Sequence, residues 1–271
     1  MKKAIITGTK GFIGGNLLKS LKYDFDIFEI NENIFDDYDW EMLLHEHLYH
    51  YKPDVVFHVG ACSDTLENNV NYMMTRNFQS TKIIVDFCKK ENIPLIFSSS
   101  AANYGTNNSH PSNLYGWSKF VSEQYVISNG MIALRYFNVY GPGESSKGKM
   151  ASVAYQMMEK YKNGDKIKLF PLTPRRDFVY IKDVISANIF AYENYNKLSG
   201  KYYEVGFGEA RSFEDIMETL DIDYSYLDEE EIPKGYQFYT CSSEEKWMPG
   251  WEPKFNLESG LRDYFSDSLY F

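Results

Sequence analysis

Residues 3–14 read Lys3-Ala4-Ile5-Ile6-Thr7-Gly8-Thr9-Lys10-Gly11-Phe12-Ile13-Gly14: a short apolar run, then three glycines spaced by two residues, then the start of a segment with helical period. A strand that passes through Gly-x-x-Gly-x-x-Gly into a helix suits a dinucleotide. The backbone turns tightly, approaches the pyrophosphate closely and presents a helix N-terminus to its charge. A Cβ at those positions would block the turn and the approach. The stretch therefore assigns Gly8, Lys10, Gly11, Phe12, Ile13 and Gly14 to the phosphates of a dinucleotide cofactor.

Outward from this loop the same rhythm continues. Candidate strands at 3–7, 26–30, 54–58, 94–99 and 131–138 alternate with helical segments at 12–21, 38–49, 68–91 and 115–128, and Pro53 and Pro94 stand where a helix has ended and a strand begins. Alternation of this kind predicts an α/β fold, a Rossmann-like doubly wound parallel sheet. After Gly141-Pro142-Gly143 the pattern loosens into a helix near 150–162, short strands near 166–170 and 177–181, a helix from Asp183 and a mixed tail. This part reads as a smaller mixed α/β C-terminal substrate lobe interleaved with the first. Residues 1–140 plus about 176–200 are expected to form the NAD(P)-binding domain, and about 141–175 plus 201–271 the substrate lobe.

The 271 residues carry 28 basic and 38 acidic side chains, a net charge of −10, with no basic stripe to follow a phosphate backbone, so nucleic acid is not an expected partner. No apolar run approaches the roughly 20 residues that span a bilayer, and Met1-Lys2-Lys3 leads directly into a strand instead of a signal core. No membrane partner is expected, and the location expected is cytoplasmic. Cys62, Cys88 and Cys241 lie far apart and suggest neither a disulfide framework nor a zinc site. His45, His47 and His50 fan round a helix instead of sharing a face, so no metal is expected there.

At the end of the second strand, where an acidic residue commonly meets the cofactor ribose, the chain reads Glu29-Ile30-Asn31-Glu32, which leaves Asn31 and Glu32 as candidates. Lys10 inside the glycine loop could neutralise a 2′-phosphate and favours NADP over NAD. Further along, Tyr115-Gly116-Trp117-Ser118-Lys119 puts a phenol and an ammonium on one face of a helix. In a chain with 23 tyrosines the spacing alone says little. Its position says more, because this helix follows Ser98-Ser99-Ser100 at the carboxyl end of the fourth strand, where doubly wound sheets bind ligands. A base requires the Tyr115 phenol, near 10 by default, to be lowered, which Lys119 and a nicotinamide cation would do, while Ser100 can hold the same substrate oxygen.

Gly8, Gly11, Gly14, Ser100, Tyr115 and Lys119 together resemble the extended short-chain dehydrogenase/reductase family, with Asn77 where that family has its structural Asn. Within the family, five segments look like the ADP-glyceromanno-heptose 6-epimerases: Phe57-His58-Val59-Gly60-Ala61-Cys62-Ser63, Asn71-Tyr72-Met73-Met74, the run from Arg135 to Pro142, the run from Lys147 to Tyr155, and Arg176-Asp177-Phe178-Val179-Tyr180. The resemblance implies a nucleotide-activated sugar as substrate, oxidised transiently by bound NAD(P)+ and reduced again on the opposite face. It implies Tyr115 and Lys147 as two acid/base groups, with Lys149 as the rival of Lys147. It also implies Gly60, Ala61, Cys62 and Asn77 beside the cofactor, and Asn138, Lys149, Gln156, Phe170, Arg176 and Tyr236 beside the substrate. A homo-oligomer is expected.

The chain departs from that pattern in places. The family's Ser two residues after the second catalytic lysine is Lys149, its His at the end of the next stretch is Gln156, and its Lys-Gly-Arg-Tyr-Gln is shortened to Lys234-Gly235-Tyr236-Gln237. A 4-epimerase or 4-keto reductase on the same scaffold, and a silent NAD(P)-binding sensor, are the competing readings. Retention of Ser100, Tyr115 and Lys119 favours an enzyme, since a sensor needs no base.

Overall fold

Strands covered by helices on both faces carry continuous apolar runs, because no side is left for water. In β1 (Lys2–Thr7) the residues Ala4, Ile5 and Ile6 are fully buried, and β3 (Val55–His58), β4 (Leu95–Ser100) and β5 (Ile132–Tyr136) repeat the pattern. With β2 (Phe25–Ile30) and β9 (Tyr202–Val205) they form a six-stranded sheet in the order β2-β1-β3-β4-β5-β9. Every neighbouring pair runs parallel. This is the doubly wound, Rossmann-like architecture expected. The computed structural model describes residues 1–106, 109–229 and 237–266.

Alternate side chains of the sheet feed two cores. Ala4, Ile6, Val55, Phe57, Ile96, Ile132 and Leu134 pack with α1 (Phe12–Leu21) and α7 (Ile181–Glu193). Ile5, Val56, Leu95, Phe97 and Ala133 pack with Leu44 and Leu48 of α2 (Trp40–Tyr51), Ile84, Val85 and Cys88 of α4 (Ser80–Glu91), and Val126 of α5 (Leu114–Ser128).

The expected helix over 68–91 is interrupted. After α3 (Val70–Met74) the chain makes a π-turn over Thr75–Gln79 before α4 begins, and the buried Asn77 lies in that turn. Likewise the strand expected over 131–138 divides at Phe137, whose N–H reaches the Val205 carbonyl of β9. The chain then leaves the large sheet as β6 (Asn138–Tyr140). The helix expected near 150–162 starts at Val153 as α6 (Val153–Lys162), because the Ser152 hydroxyl caps it by accepting from the Tyr155 N–H at 3.2 Å.

Beyond the large sheet, β8 (Arg175–Tyr180) lies between β6 and β10 (Ala210–Ser212), and β7 (Ile167–Leu169) pairs with β11 (Tyr224–Tyr226). The short α8 (Tyr195–Leu198) follows α7, and α9 (Phe213–Leu220) opens on a capping box between Ser212 and Asp215. α10 (Leu257–Phe265) packs so closely that a Cβ on Gly260 would stand 1.9 Å from the Tyr140 hydroxyl. β9 falls in the segment 201–271 assigned by sequence to the smaller lobe, and it is the sixth strand of the large sheet, in register with β5. No described helix is long and apolar enough to cross a membrane.

Candidate active site

From β1 the chain goes first to β2 on one side and later to β3 on the other, so a crevice opens between the loops that follow β1 and β3. The glycines shape it. Gly8 has φ +73°, and a Cβ there would stand 2.6 Å from the Gly60 Cα in the loop after β3. A Cβ on Gly14 would lie 2.2 Å from the Gly8 carbonyl oxygen. The first turn of α1 thus folds back on the loop, with its N-terminus facing the crevice. Phe12 anchors the helix in the core, Ile13 is partly buried, and the Lys10 side chain is exposed. Without a Cβ at Gly8 and Gly14 the loop, the first turn of α1 and the loop after β3 close on one another, the backbone arrangement that suits a dinucleotide's pyrophosphate.

At the ribose end the two candidates separate. Asn31 accepts from the Lys10 N–H at 3.0 Å and hydrogen-bonds the Thr9 hydroxyl, which also donates to Glu29. Glu32 points to other partners: it accepts from the Tyr72 hydroxyl at 3.2 Å and stands 3.6 Å from the Arg76 Nε. The Arg76 guanidinium in turn lies 3.7 Å from the centre of the Tyr72 ring and 5.0 Å from that of Phe35. The sequence reading missed Thr9 and Arg76. Thr9, inside the glycine loop, could have been found from its place there; Arg76 could not, since Glu32 and Phe35, which it meets beside Tyr72, lie about 40 residues earlier in the chain.

Across the crevice, Asn77 joins the loop after β3 to the helix that carries the phenol. Its carboxamide accepts from the Cys62 N–H at 2.7 Å and donates to the Cys62 carbonyl at 3.0 Å and to the Ser118 hydroxyl at 2.8 Å. Ser118 donates in turn to the Tyr115 carbonyl. Below them runs a buried chain of hydrogen bonds the sequence did not announce. The Gly60 N–H donates to the Thr7 hydroxyl, Thr7 bonds His58 Nδ1 at 2.8 Å, His58 Nε2 bonds the Thr81 hydroxyl at 2.8 Å, and Thr81 donates to the Asn77 carbonyl. Each proton is accounted for by a neutral His58 with hydrogen on Nε2. Burial, helped by the Lys119 charge, pushes this imidazole down to about 3.

Ser100 is the last residue of β4, and Tyr115 and Lys119 lie one turn apart on α5, which packs on that strand. The Ser100 hydroxyl accepts from the Ala102 N–H at 3.1 Å and stands near enough to the Tyr115 phenol to favour its ionised form. Lys119 is buried, with its Nζ 4.4 Å from the centre of the Phe97 ring, and burial lowers it to about 7 against the opposing pull of Glu123. In the cofactor-free protein burial raises the Tyr115 phenol, and Ser100 acts in the opposite direction. A positive charge brought beside the ring favours the phenolate.

The remaining predicted residues lie mostly beyond β5, on loops, strands and α6, with Gly60, Ala61 and Cys62 in the loop after β3. Lys147, in the 3-10 segment Glu144–Met150, is partly buried with its Nζ 5.6 Å from the centre of the Phe12 ring; Lys149 is exposed. Gln156 turns back to donate to the carbonyls of Ala151, at 2.7 Å, and Lys149, at 3.3 Å. Asn138 is exposed and accepts from the Thr240 hydroxyl at 3.3 Å, and Phe170 is partly buried. Arg176 is buried on β8 and donates to the Arg175 and Gln237 carbonyls, while Arg175 is exposed. Ala61 is exposed, and Gly60 and Cys62 are partly buried. Tyr236 lies outside the described residues. Of the three clustered histidines, His45 and His50 are exposed and His47 packs on Phe28, and no metal-holding group of His, Cys, Asp or Glu occurs among the described residues.

Residues 4–206 match the model of the NAD dependent epimerase/dehydratase family. The chain belongs to that family. This epimerase/dehydratase-family chain is also 35% identical over 306 aligned positions to the ADP-L-glycero-D-manno-heptose-6-epimerase of Brachyspira hyodysenteriae, with 96% of each covered. Among solved structures it is similar to the ADP-L-glycero-D-manno-heptose-6-epimerase of Helicobacter pylori, at a TM-score of 0.85 and 26% identity over 100% of this chain and 97% of that one. It shares its fold with the UDP-glucose 4-epimerase of Thermotoga maritima, at a TM-score of 0.84 and 24% identity over 98% and 99%. The family membership makes the chain an NAD-dependent enzyme of the epimerase type, as the sequence resemblance implied.

Proposed function

We propose that this chain inverts a stereocentre of a nucleotide-activated sugar, of the ADP-glyceromanno-heptose class, through transient oxidation and reduction with bound NAD(P). The observation that carries the reading is a pair of acid/base positions on separate segments, Tyr115 on α5 and Lys147 on the loop over Phe12, in a chain with a near-full-length relative of that name. Bound NAD(P) supplies a hydride acceptor and donor. The loop carrying Gly8, Gly11 and Gly14 holds its pyrophosphate, Asn31 its ribose, and Cys62, Asn77 and Lys119 flank the reacting end. Tyr115 takes and returns the proton of the sugar hydroxyl, Ser100 holds that oxygen, and Lys147 serves the opposite face. A buried arginine suits the substrate diphosphate, which is the part we give Arg176.

In this reading the large-sheet lobe binds the dinucleotide, the smaller lobe binds the sugar, and the enzyme works in the cytoplasm. Asn31 carries no charge to repel a 2′-phosphate and Lys10 is exposed beside it, which supports NADP as the preferred form. Lys10→Ala should then weaken NADP binding several-fold and leave NAD binding unchanged; equal effects on the two would remove that role. Exposed Trp117, packed edge-on against Phe120 and stacked on His110, is the apolar surface we associate with self-association, checked by light scattering.

The deciding experiment is mass spectrometry of the nucleotide released from purified protein, followed by NMR of ADP-heptose incubated with that protein. Inversion at C6 with a retained dinucleotide establishes the activity. A retained dinucleotide without inversion moves the search to other nucleotide sugars, and no dinucleotide with no turnover favours a silent binding protein.

A further inference from the structure

The loop between β6 and α6 contains a buried carboxylate to which the reaction proposed above gives no part. Glu144 has no exposed surface. It accepts from the Gly141 N–H at 3.1 Å, from the Ser152 N–H at 2.6 Å and from the Ser152 hydroxyl at 2.9 Å, and the phenol of Tyr264 on α10 stands close enough to feel its charge. Its hydrogen-bond partners stand at the two ends of the loop, so one side chain closes it. Gly141, Gly143 and Gly148, with φ of +140°, +96° and +52°, let the backbone wrap around it.

Glu144 and Lys147 are three residues apart in a 3-10 segment, the spacing that places side chains above one another. Lys147 is the lysine of this loop that lies over Phe12, while Lys149, two residues on and beyond the kink at Gly148, is exposed. We propose that Glu144 is the positioning residue for Lys147: by closing the loop between Gly141 and Ser152 it sets the Lys147 amine over Phe12 at the start of α1 and faces it with a carboxylate. The amine then rests as an ammonium, the proton donor for one face of the substrate. This rests on the reading of Lys147 as the second acid/base group.

The electrostatics agree with the geometry. Burial lowers Lys147, and Glu144 is the group that acts against burial. Phe12 faces the pair from α1 and Tyr264 from α10, with Tyr155 and Glu159 of α6 close to Tyr264.

The test is a pH titration of lysine amines in the full-length protein, carrying 13C-methyl labels read by NMR, with the Lys147 signal assigned by its absence in Lys147→Arg. The Lys147 midpoint should fall from wild type to Glu144→Asp, which draws the carboxylate back, and further to Glu144→Gln, by about one unit in all, the scale a neighbouring charge confers. If Glu144→Gln does not fold, wild type against Glu144→Asp carries the comparison. An unchanged midpoint or any other order overturns the proposal. The alkaline limb of the turnover profile should move with the Lys147 midpoint. If the midpoint moves and the limb does not, Glu144 still governs Lys147 but Lys147 is not the acid, and the functional reading fails at that residue.

Discussion

At Tyr115 burial raises the phenol above its ordinary value, and Ser100 acts in the opposite direction. In the role proposed for this residue as the base, a positive charge beside the ring, such as that of a bound nicotinamide, favours the phenolate. Tyr115→Phe removes the transferable proton and little else. Turnover should drop about 10²- to 10⁴-fold with cofactor affinity and thermal unfolding unchanged, and near-normal turnover would remove the tyrosine from its role. Lys119 shows the opposite sign. Its folded value near 7 lies below its ordinary 10.5, so between those values the unfolded chain binds more protons and stability rises with pH. The clean window is pH 7 to about 8.5, below the range where the raised thiols and phenols begin to count against the fold. Calorimetry of the cofactor-free protein should show the midpoint climbing across this window, and Lys119→Met should flatten the climb.

Elements bring these residues together. The glycine loop holds its shape because the first turn of α1 presses on the Gly8 carbonyl, leaving no room for a Cβ at Gly14. Gly14→Ala must push α1 off the loop, an overpacking cost of about 1–3 kcal/mol. Denaturant unfolding should report that loss, and the dinucleotide retained after purification should disappear; a variant that keeps its cofactor would show that α1 can shift without opening the cradle. The π-turn over Thr75–Gln79 acts at the same scale. It sets Asn77 where its carboxamide reaches the loop after β3 on one side and α5 on the other, so one side chain ties the helix of the phenol to the crevice. Inserted turns of this kind recur where a helix must aim a side chain.

Across the whole molecule, charge is buried where the sheet meets its outer helices. Arg135 of β5 donates from Nε to Glu123 of α5 at 2.7 Å, with a second guanidinium bond beside it, and Ser99 and Asn103 add their own bonds to that carboxylate. Such a pair adds little over an apolar replacement, but losing one partner leaves the other uncompensated. Glu123→Gln should therefore cost about 3–5 kcal/mol in denaturant unfolding. A loss below about 1 kcal/mol would mean that water reaches Arg135 once its partner is gone.

How much of this the sequence by itself determined follows from the range of the forces involved. The glycine loop, the strand–helix alternation and the grouping of Ser100, Tyr115 and Lys119 at one strand end were legible, because each depends on neighbours a few residues away and on periods of 2 and 3.6. The strand order that opens the crevice between β1 and β3 came only from the folded sheet. Other features depend on what distant segments pack against, which no local pattern records. Only the tertiary structure turned Lys147 toward Phe12 and left Lys149 in water, sent β9 back to the large sheet, and threaded Thr7, His58 and Thr81 into one chain beneath the crevice. It also decided the direction in which Tyr115 and Lys119 depart from their ordinary ionisation. That direction is set by burial, and burial is a property of the assembled fold.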